Sequence, residues 1–155
     1  MFEQHYHAES YQTQNSVGYL VKRAHSLILD VLEPVFTQHG FSYIQYVILS
    51  SLRDGMAVNP KDICVQYRHD SGALTRVIDQ LADRDLLKRV RRDRDRRKVE
   101  LQLTEAGRQA VDGLTPLVVI KLNLALVDFS SEEVQEFLRL IRKLNLQLQS
   151  SLDSK

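Results

Sequence analysis

One cysteine, three prolines, six glycines and no tryptophan among 155 residues remove several architectures from consideration. A single thiol excludes an internal disulfide framework and fits a reducing compartment. The sparse glycine and proline, with no low-complexity tract and no internal repeat, leave the order of helices to carry the organisation. No apolar run approaches the roughly 18 residues that a membrane span needs. The polar opening MFEQHYHAESYQTQNS resembles neither a signal peptide nor a transit peptide, so a cytoplasmic protein is expected. The length suits one compact core and is short for two ordinary domains.

Charge of one sign is also scarce, except in one place. The formal net charge is only +1, yet residues 88–98 (KRVRRDRDRRK) hold eight Arg or Lys and two Asp, leaving 13 basic against 18 acidic side chains elsewhere. A focused cationic patch on a mildly acidic body suits a polyanion. Its surroundings make the patch more than a solvated charge run. A helical period ends just before it, at Leu81 to Leu87, and an alternation of Val99, Leu101 and Leu103 follows it.

The remaining pattern is helical. An apolar stripe from Val17 through Leu20, Val21, Ala24, Leu27, Ile28, Val31, Leu32 and Val35 predicts a long first helix, which Pro34 should kink or end. A second helix, capped by Ser42, should stop at Asp54-Gly55. Asn59-Pro60 reads as an N-cap and first helical position for a short third helix to about Tyr67. Asp70 then caps a fourth, with Leu74, Val77, Ile78 and Leu81 inward and Ser71, Ala73, Thr75, Arg76 and Asp79 on other faces. Two short helices joined by a tight turn form a helix-turn-helix, and the strands at about 86–91 and 98–103 add a hairpin. Thr104 caps a fifth helix, with a disturbance expected near Gly113 and Pro116; Ser130 with Glu133 forms a capping box for a sixth. The fold class is therefore mainly α with a small β-hairpin wing (α+β). It is a winged helix-turn-helix at 41–104, between long dimerisation helices at 14–40 and 105–150, after a flexible tail at 1–13. The flanking helices carry more apolar surface than a small winged domain hides, and a second copy is the expected cover.

These motifs resemble the MarR (multiple antibiotic resistance regulator) family of transcription factors over roughly residues 15–150. FSYIQYVILSSL resembles that family's second helix and DSGALTRVIDQLADRDLLKR its recognition helix and first wing strand. DRRKVELQLTEAGR resembles its wing signature, through Asp95, Arg97, Leu103, Thr104 and Gly107. The resemblance implies a homodimer that binds pseudo-palindromic double-stranded DNA, usually as a repressor, and is often released by small anionic or phenolic compounds. It matches Arg97 to the wing arginine that enters the minor groove, Asp95 to the carboxylate that steadies it, and Arg76 to the arginine of a Thr-Arg pair in the recognition helix. The sequence departs from the family at Asp85, where glycine is usual, and at Gly72, where many members have a polar side chain.

Chemistry agrees with these roles. Arg76 can donate two hydrogen bonds to guanine O6 and N7, and small residues such as Ser71, Ala73 and Thr75 allow close approach to the major groove. A narrow A·T-rich minor groove draws in a guanidinium such as Arg97, which Asp95 can hold. Arg91, Arg92, Arg94 and Arg96 would meet phosphates. The plainer readings are a solvated hairpin tip, an Arg76 contact to Asp79 or Gln80 one helical turn on, and an Asp95 that only reduces repulsion among the arginines. Arg23 and His25 with Tyr43 and Tyr46 are candidates for a pocket taking an aromatic or anionic effector, although tyrosines at helical spacing more often serve the core. Cys64 reads as a structural thiol, and His5 and His7 are too few for a metal site. No catalytic constellation, phosphate-binding glycine loop or ligand quartet occurs, so no enzyme activity, cofactor or metal is expected. The rival reading is a winged-helix protein-interaction adaptor that does not bind DNA.

Overall fold

The computed structural model describes residues 4–67, 71–92 and 95–154, with the side chains of 91–98 outside the description. Six helices and one hairpin follow each other: α1 (Val17–Gln38), α2 (Tyr43–Arg53), α3 (Pro60–Tyr67), α4 (Ser71–Asp83), β1 (Leu87–Arg92), β2 (Asp95–Leu103), α5 (Glu105–Ala125) and α6 (Ser131–Asp153). The chain divides into two compact units, residues 1–119 and 120–155. Two short 3-10 turns, Ala8–Ser10 and Thr13–Asn15, precede α1, and the Val17 amide donates to the Tyr6 hydroxyl at 2.9 Å.

Local chemistry sets most boundaries. The Ser16 side chain caps α1 by accepting from the Tyr19 amide. Ser42 and Gln45 form a reciprocal capping box at α2, and Ser130 and Glu133 form the same box at α6, so two otherwise orphaned backbone donors are satisfied at each start. Asn59 Oδ1 accepts from the Asp62 amide at 3.0 Å ahead of α3, as its position before Pro60 predicts. Asp70, the expected cap of α4, lies outside the described residues. Past α4, Asp85 takes φ +55°, the left-handed conformation that glycine would adopt at less cost. Its carbonyl accepts from Thr104 Oγ1 at 2.6 Å, and Thr104 Oγ1 also caps α5 by accepting from Gly107 at 3.0 Å.

Two expectations need correction. Pro34 does not end α1, which continues to Gln38. Asp30, Glu33 and Pro34 lie on the exposed side, while buried Leu32, Val35 and Phe36 hold the final turns on the core. Nor do Gly113 and Pro116 interrupt α5, which runs unbroken to Ala125. Both sit on its exposed side opposite buried Val111, Leu114 and Val118. In each case apolar burial on one face outweighs the single backbone bond that proline removes.

The core joins α2, α3, α4, the hairpin and the start of α5 through Ile48, Leu49, Ile63, Leu74, Ile78, Leu81, Leu86, Leu87, Leu101 and Val111. Within the hairpin, Leu87 faces Leu103 and Arg89 faces Leu101, with an irregularity between Arg91 and Arg92 that changes the register near the tip. The Leu101 amide also donates to the Val58 carbonyl at 2.8 Å, tying the turn before α3 to β2. Elsewhere apolar side chains stay outside. Val17, Leu20, Val21, Leu27, Ile28 and Val31 of α1 are exposed, and no residue of α6 is buried although its apolar stripe is complete.

Candidate nucleic-acid interface

Helix α4 is held from beneath by Leu74, Ile78 and Leu81 and leaves Ser71, Ala73, Thr75 and Arg76 exposed. Three inward positions at helical spacing fix the rotation of the helix, and the opposite face follows from that alone. Thr75 Oγ1 donates to the Ser71 carbonyl at 2.7 Å, so that hydroxyl lies along the helix surface. The two side chains that sequence reasoning offered Arg76 as partners are engaged by others. Asp79 accepts from Arg89 Nη1 at 2.6 Å, and Gln80 Oε1 accepts from Gln45 Nε2 at 3.2 Å. The guanidinium of Arg76 thus stands on the exposed face of a helix whose nearest polar neighbours are tied elsewhere.

The hairpin lies immediately after α4. Arg89 shares the face of β1 that carries buried Leu87, because residues two apart in a strand point the same way; from there it reaches Asp79 of α4. This helix-to-strand ion pair is half-exposed, so its value is geometric more than energetic. The backbone of Arg91 and Arg92 belongs to β1 and that of Asp95, Arg96 and Arg97 to β2. Their side chains, and Arg94 entirely, lie outside the described residues. The strand framework nevertheless assigns the densest positive charge of the sequence to the hairpin end farthest from Leu87 and Leu103.

The proposed effector residues separate. His25 and Tyr43 line a cleft of about 450 Å³ together with Leu29, Asp30, Glu33, Ser42 and Ile44, between α1 and the start of α2. Arg23 does not line it, being two residues from His25 on a helix and so on a different face. Tyr46 does not either: its ring stacks on buried Phe36 at 4.9 Å and its hydroxyl lies 3.5 Å from Thr115 Oγ1, which makes it a core residue. Burial pushes the Tyr43 phenol above its usual range, with Tyr67 and Tyr46 adding to the effect, so it remains neutral at physiological pH. Cys64 is half-buried against the core, in keeping with a packing role.

Sequence reasoning missed the contacts that bind α4 to its neighbours: Arg89 to Asp79, Gln45 to Gln80, and Arg84 to the turn before α2. Ser42 is legible as the cap of α2, but pairings across 10 to 44 residues leave no periodic trace. Among the described residues no cluster of His, Cys, Asp and Glu could hold a metal ion, and no helix is long and apolar enough to cross a membrane.

Comparison with known proteins bears on this arrangement. Residues 41–99 match the model of the MarR family. The chain is 25% identical over 134 residues to the HTH-type transcriptional repressor NicR of Pseudomonas putida, covering 86% of this chain and 85% of that protein. Among solved structures it is similar to BpsR of Bordetella bronchiseptica, studied for the regulation of its DNA binding by 6-hydroxynicotinic acid. The TM-score is 0.76 at 27% identity, over 87% of this chain and 96% of that one. A cysteine-to-serine mutant of MarR from E. coli, complexed with operator DNA, shares the fold with a TM-score of 0.73 at 22% identity, over 86% and 99% of the two chains.

Proposed function

We propose that the chain, whose residues 41–99 match the MarR family model, is a regulator of that kind: a sequence-specific double-stranded DNA-binding transcriptional repressor working as a homodimer in the cytoplasm, without enzymatic activity. The observation that carries this reading is the exposed polar face of α4, with Arg76 on it, set directly beside a hairpin whose tip holds the chain's concentrated positive charge. Arg76 reads base edges in the major groove, Arg97 enters the minor groove with Asp95 steadying it, and the other wing cations meet phosphates. The apolar faces of α1 and α6 give a second copy something to bury. Two recognition helices in such a pair address half-sites about 34 Å apart or a multiple of it.

The cleft containing His25 and Tyr43 takes the effector, a small aromatic acid in keeping with the compound that regulates BpsR. Release follows if the ligand favours a spacing of recognition helices that no longer fits the half-sites.

Two substitutions separate the roles. Arg97→Ala is expected to weaken binding to all duplexes and lower the slope of log affinity against log salt by about one. Arg76→Ala should cost about 1–3 kcal/mol on the preferred duplex and little on an unrelated one. Mobility shifts at several salt concentrations read both. Wild-type-like binding by both variants removes these assignments, and the absence of any salt-dependent duplex affinity in the wild type favours the adaptor reading.

A further inference from the structure

One polar junction sits at the far end of the recognition helix, where Gln80, one turn on from Arg76, and Arg84 are both exposed. Arg84, one residue beyond α4, places its guanidinium carbon 4.4 Å from the centre of the Phe41 ring and donates from Nη1 to the Gly40 carbonyl at 2.9 Å. The same nitrogen lies 3.5 Å from Gln45 Oε1. That oxygen also accepts from the Ser42 amide at 3.1 Å, completing the cap of α2, while Gln45 Nε2 donates to Gln80 Oε1 in the last turn of α4 at 3.2 Å. The turn between α1 and α2, the first turn of α2 and the end of α4 therefore meet through one amide and one guanidinium. Ser42 of that cap, with Tyr43 and Ile44 between its two members, lines the cleft described above.

We propose that Arg84 is a positioning residue for DNA recognition, fastening the end of α4 to the turn before α2 through Gly40, Phe41 and Gln45, so that the cleft-lining segment 42–44 and the recognition helix move as one body. The proposal rests on the DNA-binding reading. It requires the guanidinium as a shape, because a flat fork can cover an aromatic face and still donate edge-on to a carbonyl. An ammonium at the same place keeps the charge and loses that combination.

Arg84→Lys therefore separates clamping from phosphate contact. The probe is a duplex selected by the wild-type protein from a randomised pool, with a scrambled duplex of equal length as reference. For Arg84→Lys, the preference for the selected duplex is expected to fall by about 2- to 30-fold, the range over which residues coupling two sites act, with the salt slope unchanged. Phe41→Leu, which removes the ring face and keeps an apolar side chain, should shift the preference the same way. In the wild type, duplex binding should slow amide hydrogen exchange at residues 42–46, and in Arg84→Lys that slowing should disappear. A lysine variant that retains the full preference and the slowed exchange overturns the proposal. An alanine variant that instead loses affinity for both duplexes with a shallower salt slope makes Arg84 a phosphate contact. A wild type that selects no duplex removes the DNA-binding reading itself, and the clamp with it.

Discussion

Gly107→Ala is expected to destabilise the protein by about 3 kcal/mol, the upper part of the range for forcing an atom into a filled space, and to lower the melting temperature by roughly 6–12 °C. The cause is local. A Cβ at Gly107 would fall on the backbone carbonyl of Leu86 and lie 3.1 Å from Leu103 Cδ2. The carbonyl cannot withdraw cheaply, because it accepts from the Thr104 amide at 3.2 Å and the Leu86 amide is itself bonded to Leu81 at 2.9 Å. Glycine lets the first turn of α5 rest directly on the chain entering β1. Gly113→Ala is the control: nothing lies within 4 Å of the added carbon, and a helix interior gains about 0.5–1 kcal/mol from alanine. Urea unfolding of both variants decides the point, and equal stabilities would show that the close approach relaxes without cost.

The second large effect concerns pairing. Leu20 of α1 is 51% exposed and Leu148 of α6 is 55% exposed, each on an apolar stripe with further exposed members. Leu20→Glu together with Leu148→Glu introduces two charges that cost little in a lone protomer but are severe in an apolar interface between copies. We expect the double variant to sediment as a monomer. Its affinity for a two-half-site duplex should fall by about 10²- to 10⁴-fold, because the second recognition helix no longer arrives at high effective concentration. Weak, salt-dependent affinity for any duplex should remain, since the hairpin charge is untouched. Far-ultraviolet circular dichroism must accompany the measurement, because the pairing and folding of an intimate dimer are linked. A double variant that stays dimeric would move the interface to other surfaces.

How much of this the sequence announces depends on the range of the interaction. Helical stripes, the Ser42 cap, the Ser130–Glu133 box and the Asn59-Pro60 start are written within four or five residues, and the corresponding elements appear at those places. The left-handed turn at Asp85 is legible only through the resemblance, which has glycine at that place. The prolines misled, since local rules weigh one missing backbone bond and cannot weigh the burial of Phe36 or Leu114 on the opposite face. The candidate interface was legible as composition: an arginine-rich hairpin after a helix with small outward residues. Its fastenings were not. Arg89 meets Asp79, and Arg84 meets Gly40 and Phe41, only once strand and helix are packed. The pocket residues divide for the same reason: Tyr43 and Tyr46 both pack beside Phe36, and only Tyr43 also lines the cleft. Gly107 belongs to both cases: its place in the wing signature is visible in the sequence, and its necessity is visible only beside Leu86.

Two copies are expected to present their α4 helices and basic hairpins to one duplex. Sedimentation of the protein on a duplex selected from a random pool, paired with hydroxyl-radical footprinting of the same complex, tests it directly. The account predicts two protomers per duplex and protection symmetric about one centre, with half-sites about one helical turn apart or a multiple of it. One protomer per duplex with a single asymmetric footprint would contradict it.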